Sequence, residues 1–542
     1  MKFPRLAITL PGLLPGLALL SACGGELSDD SFDEVARTAS ELNLSFAQHQ
    51  TRCNTDPRVQ AGQVTLTECI GADIFFTENF NGNGRNCASC HRLERNFAID
   101  PTFIARLPGT DPLFVAETNA ALAQLEIPTQ MRARSLILEN VDGTAPQGPT
   151  VRFVLRSVPH NLSMGRTITT PTPGVGPAER TGWSADGAAG TGLLSEFTQG
   201  AVVQHFTRTL NRVAGPDFRN ATAQEGQAVA TFMRELGRKN EINLGAITFT
   251  DAAANTGRQR FLAVGCNPCH NNAGSNTGGV NQNFITNVEG ARNVGLAAFP
   301  RDGGLGNAGA APPNPIGNLT FNSPPLIEAA DTGPFFHTDT TVSGAPAFNT
   351  PSANTIEQAV AFYGGIAFAN RPGGNGQPLP INAADISNIG RFLRGLNAIF
   401  NIQMAINRVQ GARNLGTVLG DLPRVATMQR RMAQMTLFEL DDAIRVLSDV
   451  NLNTVQANQV RTARTQIENV VNLANHQGTG AVAFGNRMNA FASALASLDT
   501  ADGGIANVTF TIGNGTRMDC AAPSAAGTDA PCFAPALRTR PN

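Results

Sequence analysis

The sequence predicts a mostly α-helical protein made of two similar units with long irregular loops and a C-terminal helical extension. Three observations point there. Apolar residues recur at three- and four-residue intervals in 193–212, 224–238, 384–400, 425–450 and 454–475. A CxxCH pentapeptide occurs twice, as CASCH at 87–91 and CNPCH at 266–270. Gly and Pro number 55 and 33 while charged residues make up only 15%, which suits long connections around compact helical pieces.

The 542 residues suffice for two or three domains. Residues 1–23 read as an export signal: Lys2 and Arg5 precede an apolar stretch, 6–20, that is short and broken by proline. It ends in LSAC at 20–23, which resembles a bacterial lipobox and implies acylation of Cys23. The expectation is an exported lipoprotein, periplasmic, at the outer membrane or at the cell surface, touching the membrane only through lipid. No later segment has the length of a membrane span. Residues 24–70 read as a solvated linker ending in a disulfide-closed element. Residues 71–245 carry the first pentapeptide and 246–400 the second; 401–542 form the helical extension. In that extension Met428, Met432 and Met435 repeat at helical spacing and read as core packing. A formal net charge of −2 gives no footprint for nucleic acid.

Two thiols three positions apart can add to the two vinyl groups of one porphyrin, and the histidine that follows reaches the iron. The paired motifs therefore predict two covalently bound c-type haems, held by Cys87, Cys90 and His91 and by Cys266, Cys269 and His270. A four-cysteine zinc site is the rival, but it leaves the histidine after each pair unexplained. A redox dithiol lacks a surrounding βαβ pattern. Of nine cysteines, Cys53, Cys69, Cys520 and Cys532 then remain. They permit three pairings, of which the local ones, 53–69 and 520–532, are expected in an exported chain.

Around the motifs several further runs appear in order. ADIFF at 72–76 and GNG at 82–84 precede the first, and ERNF at 94–97 follows it. FNSPPL at 321–326, TGPFFH at 332–337 and TIEQAVAFYGG at 355–365 follow the second. Over roughly 70–400 the chain resembles the bacterial dihaem cytochrome c peroxidase and MauG superfamily. That resemblance implies two cytochrome c-like haem domains, one open haem that activates hydrogen peroxide or dioxygen, and a second, six-coordinate haem that relays electrons. It also implies an inter-haem relay at Trp183 and a sixth ligand to the second haem at Tyr363. A calcium ion between the domains would involve Thr332 and Pro334, although Ser157 stands where the family has Asn. His337 matches a family histidine.

The departures carry weight. No histidine lies between His91 and His160, so the first haem is expected to be open. The family's distal Gln and Glu fall near Phe197 and Thr207, which removes the obvious acid for splitting peroxide and leaves an apolar distal face. That profile, with the long tail, resembles the dihaem rubber oxygenases, in which a histidine of the extension ligates the second haem. His476 is the only histidine in this tail and competes with Tyr363 for that place. His49 is expected to be exposed; His160 and His205 could reach the first haem's distal pocket but read as structural. Three functions result: a peroxidase fed by an electron-donor protein, an oxygenase or MauG-like oxidase acting on an organic or polymeric substrate, and a non-catalytic electron carrier.

Overall fold

A computed structural model describes residues 43–140, 153–168, 193–268, 270–274, 324–335, 353–369, 376–522 and 530–537. The lipobox, Trp183, His337 and the side chain of Cys269 lie outside them. Helix makes up 61% and strand 4%, so the mostly-α expectation holds.

Ten helices of eight residues or more order the described chain: α1 (Phe46–Asn54), α2 (Leu66–Thr77), α3 (Leu194–His205), α4 (Ala223–Arg234), α5 (Ala252–Ala263), α6 (Ile356–Tyr363), α7 (Ala383–Leu419), α8 (Pro423–Ser448), α9 (Thr454–Asn472) and α10 (Ala481–Gly503). Their starts are written locally. Capping boxes join Ser45 to Gln48, Thr65 to Glu68, Thr222 to Glu225, Thr355 to Gln358 and Asn382 to Asp385. Pro423 takes the first turn of α8, where a missing N–H costs nothing. The one sheet among the described residues is a hairpin not foreseen in the sequence: β1 (Leu136–Asn140) pairs antiparallel with β2 (Phe153–Ser157), Leu136 facing Ser157.

Helix α4 packs on α2 and α3, and α1 on α2. A Cβ on Gly71 would sit 2.0 Å from the Ala228 carbonyl oxygen, so α2 and α4 touch backbone to backbone. Helix α7 is the spine: 37 residues, about 55 Å long, with α5 and α6 on its N-terminal half and α8 and α10 along its length. Helix α9 closes the far side against α8 and α10. Ion pairs between Arg260 and Asp385 (2.7 Å) and between Arg391 and Asp251 set α5 antiparallel to α7.

Several expected boundaries shift. Residue 400 is not a break, because α7 runs through it without interruption. The described part of the expected linker, 43–70, is helical and carries buried residues from His49 to Ile70. Helix α10 extends the tail beyond the two long helices read from the sequence. The tail is no appendage either: one apolar core runs from Cys53 to Phe533. Within it Met428, Met432 and Met435 are at most 1% exposed, as packing residues should be. Residues 505–522 thread back between the early helices and α7. Arg58 there donates to Asp519 (2.8 Å) and Arg408 to the Thr516 carbonyl (2.8 Å). Both expected disulfides form, Cys53–Cys69 and Cys520–Cys532, each with Cα atoms 5.7 Å apart. No described helix is long and apolar enough to cross a membrane.

Candidate haem sites

The first pentapeptide follows α2 and a loop pinned by the fully buried Arg85. Its guanidinium reaches Glu126 (2.7 Å) and the carbonyls of Pro112 (3.2 Å) and Leu113 (2.6 Å). Asn86 donates to the Phe76 carbonyl (2.7 Å), and the motif then winds into a tight turn in which the His91 N–H bonds the Cys87 carbonyl (2.9 Å). Winding brings both thiols and the imidazole onto one short stretch. The His91 Nδ1 bonds the Phe97 carbonyl (2.9 Å), which fixes the ring, and the Pro159 carbonyl also approaches it. Asn96 and Phe97 both adopt left-handed backbone (φ 57° and 59°), and Asn96 is anchored through its amide to Asp442 on α8 (3.0 Å).

The second pentapeptide repeats this arrangement at the N-terminal end of α7. Helix α5 ends before Gly265, whose φ of +100° suits only glycine. The His270 N–H bonds the Cys266 carbonyl (2.9 Å), and its Nδ1 bonds the Pro324 carbonyl (3.0 Å). Two unrelated stretches of chain thus orient their histidines in the same way.

Electrostatics agree with a metal-binding role for both imidazoles. Burial, aided by nearby His160, lowers His91 to about 4; burial lowers His270 to about 4 against the pull of the Pro324 carbonyl. Both rings are therefore neutral at ordinary pH, the form that binds iron. Burial pushes the Cys87 thiol up to about 12, with Cys90 adding to it, and pushes Cys90 up to about 11. Without a metal both thiols therefore stay protonated, which disfavours disulfide exchange. Among the described residues no three His, Cys, Asp or Glu side chains gather to hold a metal.

The other predicted site residues separate into those near a motif and those far from one. Tyr363 ends α6, and its carbonyl accepts from Leu379 N (2.9 Å); a Cβ on Gly265, beside Cys266, would lie 3.5 Å from the Leu379 side chain. Its ring packs on Phe368 at 5.2 Å. Tyr363 therefore belongs to the neighbourhood of the second motif. His476 does not. Arg487 binds its carbonyl (3.0 Å) and Gln429 (2.9 Å), and Gln429 lies against Gly416. From Asp385, beside α5, to Gly416 the spine rises 31 residues, about 45 Å, so the structure does not bring His476 to the second motif.

At the first motif the residues named for the distal face lie on α3 and just beyond it. Phe197 is half-buried on α3, and Thr207 is fully buried with its hydroxyl given to the Thr209 carbonyl (2.5 Å). Between them His205 ends α3, its carbonyl and that of Thr207 both held by the Asn83 amide (2.9 Å each). Burial, then Arg85, Arg212 and His91, lower His205 to about 3. His160 also lies within electrostatic reach of His91. The imidazoles of His205 and His160 thus both lie within electrostatic reach of His91, the neighbourhood the sequence had left open to them. Thr332 spends its hydroxyl on the Glu328 carbonyl (3.2 Å), and Thr332, Pro334 and Ser157 are half-buried. Neighbouring Asp331 is buried with two amides, Asn397 (2.8 Å) and Asn401 (2.7 Å), on one carboxylate oxygen. No calcium role is assigned to these residues.

Sequence reasoning missed Phe97 and Pro324, whose carbonyls aim the two histidines, because a backbone oxygen leaves no residue signature. It also missed Arg238 and Glu328, which are paired in the structure at 3.2 Å while 90 positions apart. Compared with protein-family models, curated proteins and solved structures, the chain finds no match.

Proposed function

We propose that the chain is a two-haem c-type cytochrome acting as an oxidoreductase. The first haem, on Cys87, Cys90 and His91, would receive hydrogen peroxide or dioxygen. The second, on Cys266, Cys269 and His270 with Tyr363 opposite, would pass electrons. One observation carries this reading: each CxxCH winds so that its histidine is tied by Nδ1 to a backbone carbonyl, Phe97 in one case and Pro324 in the other. A four-cysteine zinc site or a dithiol gives neither histidine a role, whereas a metal-ligating imidazole needs a fixed tautomer and a fixed plane.

The residues present fit the group. The thiols anchor it, the neutral imidazoles ligate, and Phe75, Phe76 and Phe97, at most 3% exposed, exclude water around His91. The haem iron, when bound, supplies the one-electron chemistry and the affinity for a small oxidant. The phenol of Tyr363 would favour the ferric state if it ligates, holding the second centre at lower potential than a thioether would. The two disulfides suit an oxidising compartment and agree with export as a lipoprotein.

The test is expression with a c-type maturation system, followed by haem counting and carbon monoxide addition to the reduced protein. Two haems per chain are expected, with one lost in Cys87→Ala/Cys90→Ala. One iron is expected to bind carbon monoxide. Haem-free protein, or protein carrying zinc, would end the reading. The electron-carrier alternative gains one observation, since His205 and His160 offer imidazoles near His91. Failure of both irons to bind carbon monoxide would select it.

A further inference from the structure

One buried set of charges touches the second motif's segment and reaches toward the first through His160. Glu328 belongs to the turn that starts at Pro324, whose carbonyl holds His270. Its carboxylate is 1% exposed, and Oε1 takes Nε of the fully buried Arg238 at 3.2 Å. Arg238 donates from Nη2 to the carbonyl of Gly274 (3.2 Å), four residues past His270. Its backbone N–H bonds the Leu162 carbonyl (3.0 Å), which ties it to the segment that carries His160. The second oxygen of Glu328 has no hydrogen-bond partner among the described residues and faces Nε2 of His160 at 3.9 Å. His160 in turn neighbours His91, as does the carbonyl of Pro159.

Stability alone gives a poor account of this pair. Taking two charges out of water costs several kcal/mol each, a cost recovered only with good geometry and saturated hydrogen bonding. Here the carboxylate makes one ionic contact and leaves an oxygen unbonded, which adds a further penalty. A well-packed apolar pair would serve the fold as well. Charges held dry between two sites do act strongly on both, because little water screens them.

We propose that the Glu328–Arg238 ion pair, continued by His160, sets the reduction potentials of both irons together. This rests on the two-haem reading and adds positioning residues to it. Each iron gains an electron on reduction, so a bare positive charge between them favours the reduced form of both, and a bare negative charge disfavours it. Glu328→Gln removes the negative charge of the pair and should raise both midpoint potentials. Arg238→Met leaves Glu328 uncompensated and should lower both.

The experiment is spectroelectrochemical titration of holoprotein that has first been shown to carry two haems. The expected shift is at least tenfold in the oxidised-to-reduced ratio at fixed potential, which is 59 mV for one electron, with opposite signs for the two variants and the same sign at both irons within each. Movement of one iron only, a common direction for both variants, or no movement would each overturn the proposal. Should either single variant fail to fold, the double variant keeps the volume and removes both charges. It is expected to return both potentials to within tenfold of wild type, and a shift as large as that expected of a single variant would refute the idea. Absence of haem at the outset would instead count against the two-haem reading itself.

Discussion

The Nδ1 of His49 lies 2.8 Å from Oδ2 of Asp73, and both side chains are fully buried. Glu78 approaches the other ring nitrogen at 3.3 Å, and Arg52 and the backbone N–H of Ala521 share Asp73. Burial alone would lower this imidazole, but Asp73 and Glu78 outweigh it and raise His49 above its ordinary 6.5. The folded protein then holds a proton that the unfolded chain releases. This stabilisation is fully present below about pH 6.5 and fades as pH climbs through the higher folded value. Urea unfolding at a series of pH values should show wild type losing stability on the alkaline side. His49→Gln should lack that component; equal slopes for the two proteins would refute the assignment.

Tyr363 and His476 make opposite predictions for the second iron. Given their positions, Tyr363→Phe should change the electron paramagnetic resonance and optical spectrum of one haem, while His476→Ala leaves both spectra as in wild type. The reverse result would mean that α9 and α10 sit differently in the mature protein.

Asn96 makes a hydrogen bond to Asp442 (3.0 Å) from a left-handed backbone position. Alanine there keeps the strain of roughly 1–2 kcal/mol and loses the bond. Asn96→Ala should therefore lower stability by about 1–3 kcal/mol, seen as a reduced Tm, and should loosen the Phe97 carbonyl that orients His91. Asn96→Gly relieves the strain and should lose less, so a glycine variant weaker than the alanine one would contradict this account.

Asp519 is the buried counter-charge for Arg58 (2.8 Å) and for Arg431 (3.0 Å). Arg58 keeps Asp56 when Asp519 is neutralised (2.9 Å), but Arg431 is left with carbonyl and sulfur contacts only among its described bonds. Asp519→Asn should cost about 3–5 kcal/mol in denaturant unfolding. A loss below about 1 kcal/mol would show that water reaches Arg431.

What the sequence revealed and what it hid divide along range. The segments at 425–450 and 454–475 show their helices because periodicity is local, and the disulfides were readable because their loops span only 16 and 12 positions. The CxxCH turns were equally local. His49 was misjudged because the acids that bury it lie 24 and 29 positions away. The neighbours of His205, Arg85 and His91, were not readable because they meet it only through tertiary packing. The spine was cut at 400 because the resemblance ends there, while the contacts that carry α7 onward come from α8 and α10, distant in sequence from its start.

The threading of residues 505–522 has a consequence for how the molecule is made. Arg58, Arg408 and Arg431 all complete their contacts with a stretch that leaves the ribosome after every one of them. Until it arrives, Arg58, Arg408 and Arg431 lack part of their packing, so the interior around them closes only once this late stretch has been made.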